Sequence, residues 1–495
     1  MKDYSILAAV DLGSNSFRLQ VARVEEDHIY PLDSLKETVR LGAGLGADNM
    51  IDQETCERAL ACLNRFGERL RGLPRNAVRV VGTNTFRVAK NAQEFIQQAE
   101  AALGFPIEII AGREEARLIY IGVSHGMPEL NEKRLVVDIG GGSTELIIGT
   151  GQQPLQMESL YMGCVSYSQR FFQNGKINKN NMREADLAAR AELQSVRGKY
   201  STEHWQHAVG SSGTAKALAE VMQLNGFSEN GITAKGLDTL RDIMLSVGDS
   251  NKLQLAGLRE DRVPVLGGGF AIMAAIFSEL NISSMSVSDS ALREGVLFDL
   301  LGRFHHYDMR ETTVVQFMRR YHVDSTQAAR VEKLSISMLR QLAQAHALDI
   351  ENIAQRLSWA ARLHEIGLSI AHSGFHKHSA YIVEHADMPG FSKKEQHQLS
   401  RLTLAQRGSL SKSIQQLPDS ASLMQILSLR LAVLFYRSRM ELDLPDIKLV
   451  WKDSSIELML SKGWMALNPL TETAFEKEAK EWKSIGIKLE ISSLS

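Results

Sequence analysis

Asp138 and Glu145 bracket three glycines and two hydroxyl residues, Gly140-Gly141-Gly142-Ser143-Thr144. Leu135-Val136-Val137 before the acid and Leu146-Ile147-Ile148 after the second one have the apolar make-up of buried strands. A strand, an acid, a glycine turn and a second strand suit phosphate chemistry. Glycine tolerates positive φ, and its missing Cβ lets backbone N–H groups close on an oxyanion. Ser143 and Thr144 add hydroxyl donors, and two carboxylates beside the turn can hold a divalent cation. An ordinary tight hairpin would turn on two residues of the Asn-Gly kind instead.

The device occurs twice. Ala8-Ala9-Val10 leads into Asp11-Leu12-Gly13-Ser14-Asn15-Ser16 and on to Phe17-Arg18-Leu19. Placing Asp11 on Asp138 (138 − 11 = 127) sets Gly13 on Gly140, Ser16 on Ser143 and Leu19 on Leu146. Two such hairpins imply two copies of one α/β unit facing each other across a cleft.

Further elements must position these turns. Residues 5–35 read as a three-stranded meander, and Thr55–Leu70 has helical periodicity after Asp52 as start signal. Val78–Val81 is a buried strand ending at Gly82-Thr-Asn-Thr-Phe-Arg87, the end where α/β proteins place ligands. Arg87 there is either a phosphate contact or a solvated arginine at a helix start. Pro106–Ile110 is another strand, and Gly112–Tyr120 opens a helix with Glu114 and Glu115 in its first turn. Carboxylates at that position offset the macrodipole; a catalytic role requires one of them to face the cleft. Gln156–Met162 reads as a strand, Asn181–Gln194 as a helix, and Ala208–Lys216 as a strand, a glycine–serine turn with Gly213 and Thr214, and a helix. Val263–Phe270 reads as a fourth strand before a helix at Ala271–Leu280, and Met285–Val287 as a strand before a closing helix. Helix starts after glycine-rich turns are anion sites, although such glycines also serve close packing.

From about Asp308 the texture changes to helix, continuous in pattern from Thr312 to Leu348 and beyond. His364 and Glu365 end a helix there, and His372, His376 and His378 with Lys377 follow as a metal-binding or anion-binding surface. Residues 447–451 and 456–460 alternate as strands. The chain has 495 residues, 44% hydrophobic and 23% charged, with net charge −2, which predicts about three globular domains and no global basic signature for nucleic acid. Three cysteines, Cys56, Cys62 and Cys164, share no metal-ligand spacing and favour a reducing compartment. The longest apolar run, Leu266–Phe277, is too short to span a bilayer. The opening Met1-Lys-Asp-Tyr-Ser runs straight into a strand, so the expected location is cytoplasmic, with peripheral membrane association left open.

Taken in order, DLGSNS at 11–16, GREEARL at 112–118, DIGGGSTE at 138–145, GSSGT at 210–214 and ALREG at 291–295 resemble the exopolyphosphatase and guanosine pentaphosphate phosphohydrolase family. The resemblance runs over the whole chain. It implies an α/β protein with a duplicated actin-like, ribonuclease H-like phosphotransferase fold over 1–124 and 125–305. A mainly helical, degenerate His-Asp-type domain with a small mixed C-terminal region follows at 306–495. It implies Glu115 as catalytic base and Asp138 and Glu145 as acids around Mg²⁺, with K⁺ as an optional activator. Arg87, Ser14, Asn15, Ser16, Gly140, Gly141, Gly142, Ser143, Gly213 and Thr214 fall at phosphate-contacting positions. His376, Lys377 and His378 are expected to line a polyphosphate channel. His364-Glu365 stands where an active relative has His-Asp, so substrate binding or dimerisation is the expected role of that domain.

The implied reaction is metal-dependent hydrolysis of terminal phosphate from inorganic polyphosphate, by a homodimer without nucleic acid or integral membrane partners. Residues 162–166, 175–178 and 372–383 look closer to the long-chain polyphosphatases. The alternative substrate is guanosine pentaphosphate. More distant alternatives are an actin-like sugar or acetate kinase, for which Gly267-Gly268-Gly269 would admit adenosine, and a nucleotide sensor without turnover. Ser290, where the family usually has glycine, is expected to narrow the approach to the loop before Ala291.

Overall fold

The computed structural model describes residues 5–25, 28–127, 132–304, 308–344, 350–414, 419–452 and 454–494. The chain forms two compact units, Met1–Met309 and Arg310–Ser495.

The first unit opens with the antiparallel meander β1 (Ile6–Leu12), β2 (Phe17–Glu25) and β3 (His28–Glu37). After α1 (Gln53–Leu70) come β4 (Val78–Gly82), α2 (Asn84–Val88), α3 (Ala92–Leu103), β5 (Ile107–Ile109) and α4 (Gly112–His125). Asp52 caps α1 by accepting from the Thr55 amide at 2.7 Å, the role its residue type predicts. The sheet order is β3-β2-β1-β4-β5, with β4 and β5 parallel to β1. β1 is buried on both faces: Ala8, Val10 and Leu12 join one core, and Leu7 and Ala9 another.

The second half repeats the scheme. β6 (Arg134–Ile139), β7 (Thr144–Thr150) and β8 (Gln153–Leu160) form the meander. α5 (Cys164–Phe171) and α6 (Lys179–Gln194) precede β9 (His207–Ser211), which lies parallel to β6. Then follow α7 (Ser212–Leu224), β10 (Ile232–Thr233), α8 (Ala234–Val247), α9 (Leu266–Glu279), β11 (Ser284–Val287) and α10 (Leu292–Phe304). The order is β10-β11-β9-β6-β7-β8. Both sheets are therefore a meander joined to parallel strands, the duplicated actin-like arrangement. α10 returns to the first half: Val296, Leu297, Leu300 and Leu301 share a core with Leu7, Val81 and Ala116 and with Val136 and Val209. That common core makes one unit of two sheets.

One element differs from expectation. Val263–Phe270 is not a strand; a 3₁₀ turn at Val263–Val265 runs into α9. Leu266–Phe277 is buried all round, and a segment without a polar face has no periodicity to distinguish strand from helix. Its glycines are packing residues. A Cβ on Gly268 would stand 2.5 Å from the Cys164 carbonyl oxygen, and one on Gly267 would press on the Phe172 ring at 2.8 Å.

α11 (Met309–Arg320) begins at the last residue of the first unit, and the second unit continues with α12 (Ser325–Ala343), α13 (Ile350–Leu363), α14 (Phe375–His385), α15 (Lys393–Ala405), α16 (Leu410–Ser413) and α17 (Ser420–Phe435). The expected continuous helix from Thr312 is broken before α12, where His322 takes a left-handed φ of 50° and Asp324 caps the Thr326 and Gln327 amides. The end of that expected helix, 345–348, lies outside the described residues. β12 (Ile447–Lys452) and β13 (Ser455–Leu460) pair antiparallel; α18 (Trp464–Leu467) and α19 (Pro469–Lys483) lead to β14 (Lys488–Ser493), parallel to β13. β14 was not anticipated, although Ile487-Lys488-Leu489-Glu490-Ile491 alternates apolar and polar residues after Gly486. Among the described residues no helix is long and apolar enough to cross a membrane.

Candidate active site

The turns β1–β2 and β6–β7 meet face to face in the first unit. A Cβ on Gly141 would lie 2.8 Å from the Ser14 Cβ, and one on Gly142 would lie 2.5 Å from the Asn84 amide nitrogen. None of Gly140, Gly141 and Gly142 has a left-handed φ. The reason for glycine at 141 and 142 is the closeness of the residues opposite, Ser14 and Asn84, a correction to the expectation of unusual backbone angles. The Gly140 and Gly141 carbonyls accept from the Cys164 and Val165 amides at 2.9 Å, so the first turn of α5 occupies the oxygens that would repel an anion.

Between the turns lies a cavity of about 110 Å³, partly open to solvent. Ser14, Asn15, Ser16, Gly140–Ser143, Gly213 and Thr214 all line it, together with Asp11, Glu115 and Asp138. The Ser14 hydroxyl accepts from Thr85 at 2.8 Å, and Thr214 donates to the Ile139 carbonyl at 2.9 Å. Asn15 is buried, and its Oδ1 has no hydrogen-bond partner among the described residues. Ser212, at the β9–α7 junction, lines the cavity with φ 74°, a strained backbone for a residue with a side chain.

Arg18, Arg262 and Arg293 also line the cavity, and motif reading singled out none of them as an anion contact. Arg262 reaches it across Gly213, where a Cβ would meet its Nη2 at 2.1 Å. One signal for Arg18 was available. Asp11 pairs with Arg18 across the first hairpin as Asp138 pairs with Glu145 across the second, and 145 − 18 = 127 is the repeat spacing. Burial lowers the Arg18 pKa, and the neighbouring Arg293 and Arg262 add to the effect. Three guanidinium groups thus converge on one cavity that Asp11, Glu115 and Asp138 also line.

The acids divide by position. Glu115 is 7% exposed, lines the cavity, and accepts from Arg87 Nη1 at 2.8 Å. Arg87 also donates to the Ile110 carbonyl at 2.9 Å and is not among the cavity-lining residues. Glu114, its neighbour, turns away and is buried in an ion network with Arg117. Asp138 accepts from Ser211, and burial pushes its pKa up to about 6. Burial likewise raises Asp11, to about 7, against the pull of Arg18. Glu145 is 1% exposed, stands behind the cavity wall, and accepts from Ser159 at 2.8 Å. Burial, then Glu115 and Asp138, raise it well above the usual carboxylate range.

Two other expectations are corrected. Ser290 does not line the cavity; its side chain packs on residue 126, where only glycine leaves room for it. Gly267–Gly269 are buried against Phe172, Cys164 and Thr214, so their missing side chains serve packing and do not speak for adenosine. In the second unit, α14 presents His376, Lys377 and His378; burial lowers the His376 pKa, with Arg407 and Lys377 adding to it. His364 is buried with Nδ1 2.6 Å from the Ala361 carbonyl, and Glu365 accepts from Arg439 at 2.5 Å.

Solved structures share the fold over about three fifths of the chain. An exopolyphosphatase-like protein has 24% identity over 62% of this chain and all of its own, with a TM-score of 0.56. An exopolyphosphatase from Cytophaga hutchinsonii has 25% identity over 60% of this chain and 98% of its own, with a TM-score of 0.55. An Aquifex aeolicus member of the Ppx/GppA family has 24% identity over 61% and 99%, with a TM-score of 0.50. The family model for domain III of the Ppx/GppA phosphatases matches residues 309–479. The model of the Ppx/GppA phosphatase family itself matches residues 20–304, more than half the chain, and the chain belongs to that family.

Proposed function

We propose that this chain hydrolyses the terminal phosphoanhydride bond of inorganic polyphosphate and releases orthophosphate. The observation that carries the reading is one small cavity holding three convergent guanidinium groups, two glycine turns and the buried carboxylate of Glu115. The likeness to an exopolyphosphatase from Cytophaga hutchinsonii supports polyphosphate as the substrate.

Phosphoryl transfer to water asks a protein mainly for positioning and charge stabilisation. Arg18, Arg262 and Arg293 offset the charge of the terminal phosphoryl oxygens, with the amides of the two turns as further donors. Glu115 orients a water against phosphorus and takes its proton as the new P–O bond forms. The bond to the bridging oxygen then breaks, and the shortened chain leaves with that oxygen as a phosphate anion. Arg87 holds the Glu115 carboxylate in place during this step.

The acids fit a divalent cation. Asp138 and Asp11 face the cavity and Glu145 stands behind, all with carboxyl pKa values raised by burial, a cost that a cation relieves. Among the described residues no group of three His, Cys, Asp or Glu is placed to hold a metal; Mg²⁺, which keeps several waters and takes few carboxylates, would need only Asp138 and its neighbour. Asp138 and Asp11 would hold Mg²⁺ there, with Glu145 behind them, and the ion would supply positive charge beside the phosphoryl oxygens.

The test measures free phosphate from polyphosphate and from guanosine pentaphosphate, and ADP from ATP with sugars, in Mg²⁺ with and without K⁺. Glu115→Gln keeps size and hydrogen bonding but removes the base, so kcat on polyphosphate should fall by about 100-fold or more. Absence of phosphate release from polyphosphate would refute the substrate, and release from guanosine pentaphosphate alone would assign the other one.

A further inference from the structure

α4 and α10 run antiparallel in backbone contact. A Cβ on Gly295 would stand 1.7 Å from the Leu118 carbonyl oxygen, and one on Gly122 would stand 2.0 Å from that of Ala291. The His125 and Phe298 rings stack beside this contact with centroids 3.7 Å apart. At the other end of the pair Asp299 of α10 is buried and ties three arginines together. It accepts from Arg79 of β4 at 2.6 Å, from Arg117 of α4, and from Arg303 at 3.3 Å. Arg117 also holds Glu114 at 2.8 and 2.7 Å, and Arg79 holds Glu108 at 3.0 Å. Among these described contacts three cations face three carboxylates.

This network uses the residue next to the candidate base. Successive residues on a helix are about 100° apart, so holding Glu114 toward α10 sets the direction in which Glu115 leaves α4. The direction it leaves is into the cavity, against Arg87. The glycine contact fixes the other coordinate, the distance between the helices. Neither Asp299 nor Gly295 lines the cavity.

We propose that Asp299 and Gly295 are positioning residues that hold Glu115 in register with the bound phosphoryl group; this rests on the reading of Glu115 as the base. A misplacement of about 1 Å at a reacting group can cost about 100-fold in rate without weakening substrate binding.

The experiment uses the full chain with polyphosphate and Mg²⁺, and reads kcat and KM separately for Glu115→Gln, Asp299→Asn, Gly295→Ala and the double variant Glu115→Gln/Asp299→Asn. Asp299→Asn and Gly295→Ala should each lower kcat by about tenfold or more while KM stays within about threefold. The double variant should be no slower than Glu115→Gln alone, because a displaced base cannot be lost twice. If Asp299→Asn does not fold, the charge-balanced Arg117→Met/Asp299→Leu variant replaces it, since exchanging a whole buried pair for apolar side chains is tolerated better than breaking one. The same loss confined to kcat is expected. Unchanged kcat in folded variants, a loss in KM, or effects that multiply in the double variant would overturn the positioning role. Multiplying effects on top of a slow Glu115→Gln would leave the base assignment standing. A fully active Glu115→Gln would refute both.

Discussion

Replacing Arg262 by methionine should weaken substrate binding and leave the protein without substrate no less stable. Arg262 is 5% exposed, its Nε has no hydrogen-bond partner among the described residues, and Asp261 Oδ2 lies 3.8 Å away, itself held by Lys36 at 2.9 Å. The guanidinium shares its cavity with Arg18 and Arg293. A bound phosphoryl group would give Nε the partner it lacks among the described residues. Methionine has a similar reach and no polar atom to leave unsatisfied. A hydrogen bond to a charged group contributes about 1.5–3 kcal/mol, so KM for polyphosphate should rise about 10- to 150-fold. Initial rates over a substrate series measure this. Thermal unfolding with and without excess tripolyphosphate measures the rest. Ligand at a hundredfold excess over Kd stabilises the native state by about 2.7 kcal/mol, and the variant, binding less, should gain less. A KM within about twofold of the original, with a lower melting temperature in the absence of ligand, would show that Arg262 supports the fold and does not bind substrate.

Asp138→Asn should raise the Mg²⁺ concentration for half-maximal rate, and Glu145→Gln should raise it less, because only Asp138 lines the cavity; unchanged Mg²⁺ titrations would remove both from the metal site. Asp299 should govern acid stability. Burial alone would raise its pKa, but Arg117 and Arg79 overcome that and hold it below its ordinary 3.8. The folded form thus binds its proton less tightly than the unfolded chain, and the stabilisation is complete above pH 3.8 and lost as pH falls toward the folded pKa. Apparent melting temperature against pH should drop below about pH 4, with a shallower drop in Asp299→Asn; equal slopes would refute the assignment. The His376→Ala/Lys377→Ala/His378→Ala variant should lose affinity for long polyphosphate but not for tripolyphosphate, and its affinity should depend less steeply on salt. Equal losses on both substrates would exclude a chain-gripping role.

What the sequence determined by itself was local. The two hairpins were legible because a buried strand, a terminal acid and a glycine turn occupy adjacent positions, and the spacing of 127 residues repeats the whole unit. The helix at Gly112 was legible too, with both glutamates in its first turn. Which of Glu114 and Glu115 meets the cavity rested on the motif resemblance alone, since helix position treats neighbours alike and the packing of α10 on α4 is what separates them. The identity of Val263–Phe270 was hidden for a related reason: an all-apolar segment takes its secondary structure from what surrounds it. The arginines show the same limit most clearly. Arg18 comes from β2, Arg262 from the approach to α9, and Arg293 from the first turn of α10. An isolated arginine has no local pattern that marks it for an anion. Its role is decided when distant strands and helices place it within reach of the same few ångströms, which only the tertiary fold does.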